Sequence, residues 1–252
     1  MATVLMPLPR QDFDPTETGV PWCRLSERGH RVVFATPDGA PGAADPRMVT
    51  GQGLGLLAPL LRADAQGRGA YEAMSRSPDF QRPLSYDQIE LGAVDALLLP
   101  GGHAKGMRPY LEAAALQRAI AAFFAAGKPV GAICHGVLLA ARSLGTGGRS
   151  VLYGRKTTGL TKRMELSAWA ITCLYLGDYY RTYPTTVEDE VRGALARRED
   201  FIPGPGGLGR DSPTRLGTGF TVRDGNYLSA RWPGDAHRFA SDFAAMLARG
   251  AA

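Results

Sequence analysis

The chain is poor in cysteine, histidine and lysine, and it has no long apolar run. Its 252 residues include three cysteines, Cys23, Cys134 and Cys173. An odd, widely spaced set does not make a disulfide framework. It points to a reducing, cytoplasmic compartment where a lone cysteine stays a thiol. His30 and His237 have no ligand spacing to another His or Cys, so no metal is expected. No window holds ~18 uninterrupted apolar residues, so no membrane span is expected. The opening MATVLMPLPRQDFD lacks the basic start and apolar stretch of a signal peptide. Lysine is confined to Lys105, Lys128, Lys156 and Lys162, so the net charge of +5 and pI of about 9.3 come from arginine. The densest basic spots are Arg155-Lys156, Lys162-Arg163 and Arg197-Arg198. None is a block of like charge, and nucleic acid is not an expected partner. A P-loop and a dinucleotide fingerprint are both missing, and no cofactor is expected.

What is present reads as one large α/β domain over 1–252. Hydrophobic residues make up 44% and charged residues 21%, ordinary for a globular chain able to bury a core. Short apolar runs suit strands covered on both faces: Thr3 to Leu8, Arg31 to Thr36, Asp95 to Pro100, Pro129 to Cys134 and Ser150 to Thr158. A late pair, Phe220 to Val222 and Tyr227 to Ala230, flanks the hairpin signal Asp224-Gly225. Helical patterns fall between them: Pro15 to Gly29, Tyr110 to Ala126 closed by Gly127, one beginning at His135, Leu166 to Leu176, Thr186 to Arg197, and Asp235 to Leu247. This rhythm predicts a doubly wound, mostly parallel, flavodoxin-like sheet with helices on both faces. Insertions around 37–92 and 169–217 interrupt it. Long irregular stretches of that kind are usually lids or site walls.

Three places could carry chemistry. Ala132-Ile133-Cys134-His135-Gly136 puts a thiol between a strand and an immediate helix, the pattern of a nucleophile elbow. At that point the helix N-terminus should favour the thiolate and lower its pKa. The His135 N–H is placed as an oxyanion donor. A buried structural cysteine and a surface histidine in a first helical turn are the competing readings. Leu99-Pro100-Gly101-Gly102-His103 follows another strand, where paired glycines let the main chain approach a ligand; a plain glycine turn is the alternative. Asp14-Pro15-Thr16-Glu17 is a helix-capping arrangement, or else it holds the Glu17 carboxyl at the carboxyl end of the first strand, in the crevice of Cys134.

Together with TETGVPWCRLSERGHRVVFATPDG, ALLLPGGHAKGM, GKPVGAICHGVLLAA and YLSARWPGDAHRFASDFAAML, these segments resemble the ThiJ/PfpI family of the class I glutamine-amidotransferase-like superfamily. The nearest branch is that of the heat-shock chaperone with glyoxalase III activity. The resemblance implies Cys134 as nucleophile, Glu17 as the carboxyl beside it and His135 as the family histidine. Gly102 and His135 would supply the oxyanion amides, next to Gly101 and His103, and Glu165 would complete a triad by orienting His135. The chain departs from that branch at Ala104 (usually Gly), at Glu165 (usually Asp) and over Trp169 to Gly217. The expected activity is cofactor-independent conversion of a 2-oxoaldehyde such as methylglyoxal to a 2-hydroxy acid, by a homodimer. The same nucleophile on another acyl or nitrile-like carbon, as a hydrolase or biosynthetic tailoring enzyme, is one alternative. A chaperone holdase is another, and oxidation of Cys134 to a sulfinic acid is compatible with all three.

Overall fold

A computed structural model describes residues 1–207 and 209–249. Its centre is a seven-stranded sheet in the order β3-β2-β1-β4-β5-β7-β6. The strands are β1 (Thr3–Pro7), β2 (Arg31–Thr36), β3 (Leu84–Ser85), β4 (Ala96–Leu99), β5 (Val130–Ile133), β6 (Thr221–Asp224) and β7 (Tyr227–Ala230). All neighbours are parallel except β6 and β7, which form the hairpin that Asp224-Gly225 signals. Every residue of β4, β5 and β7 is buried, as expected of strands covered on both faces.

Seven helices of eight or more residues are present among the described residues. They are α1 (Pro15–Glu27), α2 (Ala65–Ser75), α3 (Ala114–Ala125), α4 (His135–Arg142), α5 (Lys162–Leu176), α6 (Val187–Ala194) and α7 (Ala236–Arg249). Helices α1, α2 and α7 pack together as one layer; α4 packs with α3 and α6 as the other. None of these helices is long and apolar enough to cross a membrane.

Local sequence explains most boundaries. Asp14 accepts the N–H groups of Thr16 and Glu17, and Pro15 occupies the first turn of α1, where its missing N–H costs nothing. Gly127, at φ 65°, follows the end of α3 as a left-handed residue should. Three expectations need correction. The segment from Ser150 to Thr158 forms no strand: Gly154 turns it at φ 80°, and it is held by single bridges, Leu144 to Ser150 and Thr157 to Phe201. The Thr158 N–H donates instead to Ser229 Oγ, and β7 takes the place beside β5. The helix expected from Tyr110 is two pieces, because Ala113 is extended between Arg108–Leu111 and α3. Helix α5 starts at Lys162 rather than Leu166, since Thr161 caps it by accepting the Met164 N–H.

The start of α4 lies directly on the end of β4. A Cβ at Gly136 would stand 2.0 Å from the Leu99 carbonyl oxygen and 2.7 Å from its carbon. Backbone cannot yield there as a flexible side chain would. Gly136→Ala is therefore expected to cost about 3 kcal/mol, at the upper end of overpacking penalties, and to lower the urea midpoint accordingly.

Candidate active site

Cys134 lies between β5 and α4 with φ 57° and ψ −124°, one of two non-glycine residues at positive φ among those described. Holding an L-residue there costs roughly 1–3 kcal/mol, which the surrounding packing must offset. The strain aims the side chain toward the carboxyl ends of β1 and β4. There it meets Gly101. A Cβ built on Gly101 would stand 2.6 Å from His135 N, 2.9 Å from Cys134 Cβ and 2.9 Å from Glu17 Oε2. The Gly101 N–H donates to Glu17 Oε2 at 2.9 Å, and its carbonyl accepts the Asp14 N–H at 2.9 Å. Glu17 is thus no cap: Asp14 performs that task, and Glu17 faces the thiol.

Both groups are fully buried. Burial, followed by the nearby Asp14 carboxylate, pushes the Glu17 carboxyl well above its ordinary range. Glu17 Oε1 has no hydrogen-bond partner. A neutral carboxylic acid with a bare oxygen beside a thiol is a proton donor in waiting. The expectation of a lowered Cys134 pKa is overturned. Burial, and after it the negative charge of Glu17, raises the thiol, outweighing the hydrogen bond from the His135 N–H. Protonating Glu17 removes the second cause, so one proton serves both groups.

The other residues divide. His135 is buried, with Nδ1 3.6 Å from Cys134 Sγ. As the first residue of α4 it has no carbonyl four residues back for its N–H. The Gly102 N–H has no hydrogen bond among the described residues. A Cβ on Gly102 would strike Asp12 O at 2.5 Å, so glycine is required there. The His103 ring meets His135 edge-on at 5.3 Å between centroids, and its Nε2 is buried without a partner. Desolvation lowers His103 to about 4, so it is neutral at pH 7. Glu165 stands apart. Its Oε1 accepts from Arg181 Nη1 at 3.3 Å and its Oε2 from the Val187 N–H at 2.9 Å. No hydrogen bond joins it to His135 among the described residues.

Sequence reasoning missed the individual residues of the outer wall. Asp12, Asp14, Asp45, Met48, Gly102, His103 and Tyr180 line a small cavity of about 10 Å³, room for roughly one water. Both insertions build it. The Tyr179 hydroxyl donates to Asp45 Oδ1, the Tyr180 hydroxyl reaches Met48 Sδ, and Thr182 Oγ1 donates to the His103 carbonyl. Asp12 is the second strained residue, at φ 71°, and its Oδ2 accepts the Gly106 N–H at 3.0 Å. Burial raises Asp45 to about 6. The sequence marks both insertions as candidate walls, but no local motif announces the individual residues.

Comparison with known proteins agrees with this frame. The model of the ThiJ/PfpI family-like group matches residues 8–204. A deglycase of Thermococcus kodakarensis is 28% identical over 210 residues, covering 77% of this chain and 92% of its own. Deglycase PfpI of Pyrococcus furiosus is 26% identical over 243 residues, covering 95% and 96%. Among solved structures, glyoxalase III from Candida albicans superposes with a TM-score of 0.68 at 18% identity, covering 97% of each chain. The Rapid Encystment Protein 24 kDa of Francisella tularensis gives 0.70 at 17%, covering 98% and 99%.

Burial raises Glu165 from 4.5 to about 7 despite Arg181. In the folded state it holds its proton across a window where the unfolded chain has lost it. Its contribution is complete below about pH 4.5 and is lost as pH rises through about 7, a swing of about 3 kcal/mol. Glu165→Gln keeps the neutral form at every pH, so its stability relative to wild type should rise by about 3 kcal/mol between pH 4.5 and pH 8. Urea denaturation at the two pH values measures this; an equal gap at both would refute it.

Proposed function

The chain belongs to the ThiJ/PfpI-like family, and on that footing we propose that it is a cofactor-independent cysteine enzyme acting on a small reactive carbonyl. The observation that carries this reading is the meeting at Gly101 of a strained Cys134, a buried Glu17 and the His135 amide. Cys134 Sγ adds to the aldehyde carbon of a 2-oxoaldehyde such as methylglyoxal. The thiol proton passes to the new oxygen, giving a hemithioacetal. The Gly102 and His135 N–H groups hold that oxygen while it is negative. Glu17 or His135 then moves the proton from the first carbon to the second, leaving a thioester of the 2-hydroxy acid. Water splits the thioester, releasing the acid and restoring the thiol. Oxidation of one carbon balances reduction of its neighbour, so no external redox partner enters. Glu165, tied to Arg181 and Val187, serves the wall of the site rather than the orientation of His135.

The names of the curated relatives favour a second reading. Deglycases such as PfpI suggest the same thiol acting hydrolytically on a carbonyl adduct or an acyl carbon. A panel of acyl and carbonyl-adduct substrates beside methylglyoxal separates the two. A cytoplasmic homodimer taking a small-molecule substrate completes the proposal.

Cys134→Ala is expected to lower methylglyoxal turnover by ~10³-fold or more, as loss of a covalent nucleophile does. Glu17→Gln should cost ~10²–10⁴-fold, the range of general acid–base groups. Formation of the 2-hydroxy acid is the readout. Wild-type rates in Cys134→Ala would end the reading.

A further inference from the structure

We propose that His103, Cys134 and His135 form a three-ligand site for a borderline-soft divalent cation, of which Zn²⁺ is the type, and that an ion held there takes the nucleophile out of use. One ring nitrogen of each histidine and Cys134 Sγ all lie within 4.8 Å of one another. Metal–sulfur and metal–nitrogen bonds of ~2.3 and ~2.0 Å place tetrahedral donors ~3.3–3.8 Å apart. Cys134 and His135, at 3.6 Å, already meet this, and His103 lies within about 1.5 Å of doing so.

A second observation points to a ligand. His103 Nε2 is buried and bare, its ring wedged edge-on between His135 and Tyr180. An unpartnered polar atom in the interior costs about 1–3 kcal/mol, and coordination would remove that cost. The donor chemistry selects the ion. Two imidazoles and a thiolate suit Zn²⁺, Co²⁺ or copper, whereas Mg²⁺ and Ca²⁺ require oxygen.

The approach also fits. Asp12, Asp14 and Asp45 surround the cavity that ends at His103 and Gly102. Carboxyls placed around the His103 ring favour a cation over an anion beside it. On binding, the Sγ–H bond breaks, the proton leaves to solvent and a sulfur–metal bond forms, with no change in oxidation state. The sulfur lone pair is then engaged and cannot add to carbon. Occupancy and turnover exclude each other, whatever carbonyl the enzyme accepts.

Co²⁺ titrated into the reduced full-length protein tests this without any substrate. The expected result at one equivalent is a near-ultraviolet thiolate-to-cobalt band and release of one proton, read by calorimetry in two buffers. Cys134→Ala should abolish the band, while Cys23→Ala and Cys173→Ala keep it. His103→Ala should weaken Co²⁺ by more than the ~10–100-fold that loss of a supporting contact costs. Far-ultraviolet circular dichroism confirms each fold, with His103→Gln replacing a variant that fails. Absence of the band at stoichiometric Co²⁺, its survival in Cys134→Ala, or wild-type affinity in both His103 variants overturns the site. Because the readout is spectroscopic, it stands or falls separately from methylglyoxal turnover.

Discussion

Three segments far apart in sequence are tied by the main chain of one residue. Gly101 donates to Glu17 from α1, accepts from Asp14, and lies against the backbone of Cys134 and His135 at the β5–α4 bend. Any side chain at 101 would separate them. Everything at the site follows from that closeness, because it excludes water and sets a carboxyl, a thiol and an amide around one point. The parallel order β1-β4-β5 brings the three strand ends together; the strained φ of Cys134 lets the thiol turn into the space they enclose.

Dryness then dictates protonation. In water Glu17 would be charged at pH 7 and would repel a thiolate. Burial pushes the carboxyl up, which favours its neutral form, and a neutral acid can donate to the sulfur it would otherwise oppose. The helix N-terminus, which favours the thiolate, works in the opposite direction and is the smaller influence here. Desolvation of a fully buried group exceeds what a few aligned amides supply. The buried thiol and carboxyl are thus both favoured in their neutral forms.

The parts of the fold legible in the sequence were those set by local rules. Apolar runs marked β1, β2, β4, β5 and β7; Asp14-Pro15 marked the start of α1; Gly127 closed α3; Asp224-Gly225 turned the hairpin. The elbow was legible too, since a strand, a cysteine and an early glycine allow little else. What failed was non-local. Ser150 to Thr158 is apolar enough for a strand, yet β7 occupies the sheet position beside β5, and side-chain bonds to Ser229 hold the segment outside. The resemblance assigns Glu165 to a triad, but Thr161 starts α5 early and fixes it in a first turn facing Arg181 and Val187. The sign of the Cys134 shift was missed because burial is a property of the packed state, which a local motif does not encode.

The two insertions carry what distinguishes this chain. Residues 37–92 contribute Asp45 and Met48, and residues 169–217 contribute Tyr179, Tyr180 and Thr182; each pair of contacts crosses from one insertion to the other or to His103. Neither segment would form a wall alone. Arg47 stacks over Tyr179 at 4.6 Å, so even the surface of the junction couples the two. The elbow places Cys134 at the strand ends, and Asp45, Met48 and Tyr180 from the two insertions cover His103 next to it. The insertions therefore build the wall over His103, where Asp45 joins Asp12 and Asp14 of the first strand's carboxyl end in one small acidic cavity.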